Sequence, residues 1–143
     1  FDLELAKKQS SDNPVYYVQY AHARICRVFE RLTERGLDAF DAQLGVANLG
    51  LLAQARELSL IAAIGRFSEV INSAANTRSP HIIANYVRDL AAQLHGVYDS
   101  PPRLEILCAD PGLRNARLAL MAATRQVLKN GLALLGVCAP DSM

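Results

Sequence analysis

Asn13-Pro14-Val15-Tyr16-Tyr17-Val18-Gln19-Tyr20-Ala21-His22-Ala23-Arg24 opens the helix around which the rest of the chain is read. Asp12 or Asn13 can accept a bond from a free N–H of the first turn. Pro14 suits the first helical position, where its missing N–H costs nothing. At 3.6 residues per turn, Val18, Ala21, Ile25, Val28, Phe29 and Leu32 share one side and make a core stripe. Tyr17, Tyr20, Arg24, Arg27 and Arg31 follow on a neighbouring side at spacings of three and four. Aromatic rings followed by guanidinium groups suit RNA, because tyrosines stack on unpaired bases and arginines meet phosphates or base edges. The spacing predicts a helix from Pro14 to about Arg35, stopped by Gly36.

Outward from this helix, the pattern stays helical. Upstream, Phe1, Leu3 and Leu5 alternate with acids while Ala6-Lys7-Lys8-Gln9 reads as helix, and no assignment is made. Lys7 and Lys8 are expected to be solvated charges. Downstream, Asp38, Asp41, Gly45 and Asn48 interrupt residues 37–50, which should form a loop with a short helical turn. Residues 51–64 read as a second helix with Leu51, Leu58, Ile61 and Ala62 inward, and Gly65 as a break. Residues 66–75 resume with Phe67, Val70, Ile71 and Ala74 as the apolar face, followed by a turn over 76–79. Ser79-Pro80 should cap and start the next helix, in which Ile83, Val87, Leu90, Leu94 and Val97 form a core stripe. That helix should end between Gly96 and Asp99, ahead of Ser100-Pro101-Pro102. Residues 103–109 could be extended or helical. Asp110-Pro111 should cap the last helix, with Leu113, Ala116, Leu120, Ala123, Val127 and Leu134 inward. Gly131 lies on that face, and close approach of another helix would compensate its poor helix propensity. Gly136 ends this helix and residues 137–143 form a tail. No strand-like alternation recurs, so an all-α bundle of about four or five helices is expected.

The bulk numbers limit the function. At 143 residues the chain is one domain by length, large enough for a real core. It is 51% hydrophobic, yet no apolar run approaches the length of a membrane span. No charged-then-apolar leader is visible, and a start at Phe1 rather than Met is expected of an excised piece. Cys26, Cys108 and Cys138 are odd in number and far apart, which suits a reducing compartment. The net charge is only +1, so any RNA contact must be a local patch. There is no glycine-rich phosphate loop and no Gly-x-Ser-x-Gly elbow. His22, His81 and His95 lack cysteine or carboxylate partners at metal-ligand spacing, so no zinc site is expected.

The run from Asn13 to Arg24 resembles the end of the catalytic domain and the first helix of the anticodon-binding (DALR-type) domain of arginyl-tRNA synthetases. The resemblance continues through Pro80-His81-Ile82-Ile83-Ala84-Asn85-Tyr86, Ala116-Arg117-Leu118-Ala119-Leu120, Ala123-Thr124-Arg125-Gln126-Val127-Leu128 and Asn130-Gly131-Leu132-Ala133-Leu134-Leu135-Gly136. It is looser over residues 33–78. It implies that residues 1–13 are the end of the catalytic body or a connector, and that 14–143 are the helical anticodon-binding domain. The parent enzyme would be cytoplasmic and would use ATP, with Mg, to attach arginine to its tRNA. The His-x-Gly-His-type signature of that body and its later lysine loop are absent, so this fragment should need no cofactor and form no adenylate. The implied partners are the anticodon loop of an arginine tRNA and the catalytic body of the same chain, with no membrane, in a monomer.

The resemblance also implies RNA-binding roles for Tyr17, Tyr20, Arg24, Tyr98 and Met143. Each has a second reading. Tyr17 and Tyr20 could cover the core edge with their hydroxyls in water. Arg24 could pair with the catalytic body or a nearby acid, and Tyr98 could be a packing residue. Met143 would by position alone be a frayed terminus, and Pro140-Asp141-Ser142 departs from the family's more usual Pro-Glu-Arg. Arg27 and Arg31 are expected on a solvated helix face. Asn85 and Arg88 are expected near the same surface without a role in it. His22 is expected to be a hydrogen-bonded residue joining helices or domains, and Arg117 to sit in a structural salt bridge. The alternative function is a helical protein-interaction module whose aromatic stripe binds another helix.

Overall fold

Asn13 sets where the bundle begins. Its side-chain carbonyl accepts bonds from the backbone N–H of Val15 at 3.1 Å and of Tyr16 at 3.5 Å, ahead of Pro14. Asp12, the other candidate cap, pairs instead with Lys8. The computed structural model describes Glu4, Lys7, Lys8, Ser10 and residues 12–101 and 103–143. The readings made at Phe1, Leu3, Leu5, Ala6, Gln9 and Pro102 fall outside the described residues.

Helix α1 spans Pro14–Glu34 and stops at Gly36, whose φ of 63° is the left-handed conformation the sequence anticipates there. Helix α2 is Ala42–Ala47, followed by a 3-10 turn at Leu49–Leu51. Then come α3 at Ala55–Gly65, α4 at Phe67–Thr77, α5 at His81–Asp99 and α6 at Pro111–Leu134. No strand occurs among the described residues. Five of these helices reach eleven residues or more, in line with the expected all-α bundle. None is long and apolar enough to cross a membrane.

Helices α1, α5 and α6 pack on one another, α2 lies on α6, and α3 and α4 lie across α5. The expected stripe of α5 is buried throughout, as is that of α1 except for half-buried Phe29. Gly131 allows the approach that its position implied. A Cβ there would fall 2.3 Å from Val87 Cγ1 of α5. Gly45, read only as an interruption, does the same for α2, where a Cβ would lie 2.6 Å from the Asn115 carbonyl oxygen.

Four expectations are corrected. In α3 the inward side is Glu57, Leu60 and Ala63, while Leu51, Leu58, Ile61 and Ala62 are exposed. The cause is Arg117 of α6, which donates to Glu57 at 2.8 Å and pulls a carboxylate into the core. In α6 the buried set includes Leu118, Met121, Thr124, Leu128 and Leu132, whereas Ala123 and Leu134 face out. Ser79 does not cap α5: its hydroxyl donates to the Thr77 carbonyl at 3.1 Å. Residues 103–109 form neither helix nor strand, and Leu104 and Ile106 are buried there.

Candidate nucleic-acid interface

The stripe beside the α1 core meets the C-terminal end of α5, because both helices turn this side toward the same edge of the bundle. His95 of α5 lies against two tyrosines of α1. Its ring centroid is 4.7 Å from that of Tyr17, tilted by 57°, and 5.7 Å from that of Tyr20 in a stacked arrangement. Tyr20 is 43% exposed, so the remainder of its ring is open to a ligand.

Arg24 ties the cluster together. It donates to both carboxylate oxygens of Asp99, at 2.9 and 2.7 Å, and to His95 Nδ1 at 3.4 Å. A guanidinium can only donate, so Nδ1 accepts and the ring proton resides on Nε2. Nε2 is buried with no hydrogen-bond partner among the described residues. Burial pushes the His95 pKa down; the Tyr17 backbone opposes this, and smaller effects of the Arg24 and Asp99 charges act in opposite directions. A neutral imidazole is the form that can accept from Arg24. The hydrogen bonds from Arg24 hold the Asp99 carboxyl below its ordinary pKa. The Arg24 guanidinium carbon also lies 4.3 Å from the centroid of the Tyr98 ring. Tyr98 is packed from below, its hydroxyl donating to Met121 Sδ at 3.6 Å, and burial raises its pKa.

The C-terminal tail completes the site. Gly136, with φ 72°, turns the chain at the end of α6. Gln19 then donates to the Cys138 carbonyl at 2.9 Å. His22 Nδ1 donates to the Pro140 carbonyl at 2.9 Å, and the Cys26 thiol donates to Asp141 at 3.5 Å. Gln19, His22 and Cys26 recur at spacings of three and four, so one line of α1 holds the tail. His22 is thus hydrogen-bonded as expected, though to the tail rather than to a second helix.

The ligand atoms of His22, Cys26 and Asp141 lie within 4.8 Å of one another. This corrects the premise that the histidines have no cysteine or carboxylate partner, since Cys26 is one turn from His22 and the tail supplies Asp141. In this structure the three groups act as a latch on the tail. The His22 Nδ1 proton is committed to Pro140, burial raises the Cys26 thiol pKa, and the Arg125 guanidinium sits 4.0 Å from the sulfur.

Two hollows flank Tyr20 and Arg24. One, of about 390 Å³, is lined by Tyr16, Tyr17, Tyr20, Arg24, His95 and Asp99. The other, of about 350 Å³, includes Tyr20, Arg24, Arg31, Tyr98 and Met143. All five candidate residues therefore lie on one face, although they come from α1, α5 and the tail. Arg24 has its nearby acid and Tyr98 its packing, so their second readings hold alongside the shared site. Arg27 is solvated and paired with Glu30 and Glu34, at 2.8 and 2.7 Å. Asn85 and Arg88 line a separate groove with Pro14 and Val15. Sequence reasoning weighed His95 only as a metal ligand and passed over Asp99. Their spacing of four on one helix, with Tyr98 between them, was the available signal.

The family model of the DALR anticodon binding domain matches residues 18–143. The chain is 55% identical over all 143 residues to an arginine–tRNA ligase of Legionella pneumophila (strain Corby), covering 24% of it. It is 50% identical, with the same coverage, to one of Coxiella burnetii (strain CbuK_Q154). The structure of Thermus thermophilus arginyl-tRNA synthetase superposes on the whole chain with a TM-score of 0.77 and 32% identity, over 23% of that protein. The chain thus spans about a quarter of the length of the relatives it matches.

Proposed function

We propose that this chain, which belongs to the DALR anticodon binding domain family, recognises the anticodon loop of an arginine tRNA on behalf of an arginine–tRNA ligase. The observation that carries this reading is the convergence of Tyr17, Tyr20, Arg24, Tyr98 and Met143 around two adjoining hollows. Splayed bases would enter the hollows and stack on Tyr20, whose exposed ring is backed by His95. Arg24, fixed by Asp99, would present its guanidinium at the rim between them. Met143, held there by the tail latch, would close the apolar side of the second hollow. Edge hydrogen bonds would supply identity, and phosphate contacts would position the RNA without reading it.

The rest of the work would fall to the remaining three quarters of the parent protein, with ATP and Mg for arginine activation. Residues 1–13 would be the end of the catalytic body or the connector from it, and the whole would act as a cytoplasmic monomer. The test is binding of a labelled hairpin carrying an arginine anticodon, beside hairpins with altered anticodon bases. Selective binding that Tyr20→Ala abolishes in a folded chain supports the reading. Equal binding of all hairpins, or selectivity untouched by Tyr20→Ala, contradicts it.

A second reading, a helical protein-interaction module, is favoured by a different face. Val46 is 64% exposed, and Leu44, Leu49, Leu51, Leu58 and Ile61 are also exposed on α2, the 3-10 turn and α3. A contact made there would be apolar and insensitive to salt, whereas RNA binding should weaken steeply as salt is added.

A further inference from the structure

We propose that a second site beside the base hollows holds the sugar–phosphate backbone of the RNA: the groove lined by Arg31 of α1, Arg35 just past its end, and Arg103. This rests on the RNA reading above and gives its phosphate contacts a place and residues that reading does not name.

The groove measures about 390 Å³ and is bounded by α1 and by residues 103–107. It shares Arg24, Val28, Arg31 and Tyr98 with the hollow that holds Met143. A strand whose base sits in that hollow therefore has a continuous path into the groove.

The charges in this region divide into two kinds. Arg24 is matched by Asp99, and Arg27 by Glu30 and Glu34. Arg31, Arg35 and Arg103 form no salt bridge with a described residue, and Asp99, which feels the Arg103 charge, is already bonded to Arg24. The groove's only carboxylate among the described residues is Glu105. Besides the matched Arg24, three guanidinium groups thus line a groove that holds one acid, in a chain whose overall net charge is only +1. Arg31 and Arg35 are one helical turn apart, a spacing at which like charges repel. The position near the C-terminus of α1 offsets part of that repulsion. An anionic ligand would relieve the rest. Leu104 and Ile106 are buried beneath the groove and fix its floor. Guanidinium groups suit phosphate oxygens by their paired donors. Such contacts orient the strand and carry no base identity.

The test measures hairpin affinity across salt for the unaltered chain, for Arg31→Gln, Arg35→Gln and Arg103→Gln together, and for the same three changed to Lys. Each lost phosphate contact should lower the slope of log K against log salt by about 0.7, so the triple Gln variant loses about 2. Its affinity at about 50 mM salt should fall more than tenfold, by the same factor for matched and altered hairpins. The Lys variant, which keeps the charge, should restore the slope. A triple Gln variant with an unchanged Tm and an unchanged slope overturns the site. So does a changed ratio between hairpins with the slope intact. If the unaltered chain fails to distinguish hairpins yet the slope still falls, the anticodon reading is lost and the backbone site stands. If no hairpin binds at low salt, both are lost.

Discussion

Two arginine–carboxylate pairs of the same chemistry stand in opposite settings. Arg117 of α6 and Glu57 of α3 meet at 2.8 Å with side chains 7% and 1% exposed. Arg24 of α1 and Asp99 of α5 meet at 2.7 Å with side chains 25% and 60% exposed. The buried pair is bonded on both sides within the fold. Arg117 also donates to the Glu105 carbonyl at 2.7 Å, and the second oxygen of Glu57 accepts from the Gln54 N–H at 2.9 Å. Closed off from solvent, it serves the fold. The exposed pair spreads one guanidinium over Asp99, His95 and the Tyr98 ring beside two open hollows. It serves the site. The difference teaches that burial, rather than the identity of the charged groups, separates an ion pair that serves only the fold from one that stays open to a ligand.

The largest expected effect breaks the buried pair. Glu57→Ala leaves the Arg117 charge uncompensated in the core and should cost about 3–5 kcal/mol, measured by urea unfolding. Asp99→Ala should cost less than about 1 kcal/mol in the same experiment. Comparable losses would erase the contrast. Next is Gly131→Ala, whose Cβ would press on Val87 and should cost about 1–3 kcal/mol. Adding Val87→Ala to it should cost less than the sum of the two single changes. Smaller still is His22→Ala, which releases one bond to the tail and should cost about 1 kcal/mol. Hairpin selectivity should fall by more than that loss of stability implies, because Met143 is no longer held at the hollow.

The smallest effect is on pH dependence. Burial lowers the folded pKa of His95, so the unfolded chain binds its proton first as pH falls below about 6.5. Stability should therefore decline from neutral pH downward until the folded His95 also titrates, and His95→Gln should flatten that part of the curve. The Asp99 contribution has the usual carboxylate sign. It is present above about pH 4 and is lost as pH falls through the lowered folded value.

The sequence made the elements legible where local chemistry decides them. Asn13-Pro14 marks the start of α1, Gly36 its end, and the stripe of α5 its buried side. Gly131 even announced a close neighbour. The orientation of α3 was not legible, because pattern reading places a glutamate outward, and the partner that brings Glu57 in lies sixty residues away. Gly45 and the tail latch failed to show for the same reason: Asn115 and the pairs His22–Pro140 and Cys26–Asp141 are distant in sequence. In the candidate site the α1 half of the surface could be read from helical spacing. The His95–Arg24–Asp99 arrangement, which orders it, appears only when α5 is laid against α1.

The most direct test of the central claim is to follow the backbone amide signals of the chain by NMR while adding the arginine-anticodon hairpin. The account predicts shifts along residues 17–31, 95–99 and 138–143, with the α2–α3 face from Leu44 to Ile61 unmoved. Shifts concentrated on Leu44 to Ile61, with Tyr17, Tyr20 and Arg24 undisturbed, would contradict it and move the function to the apolar face.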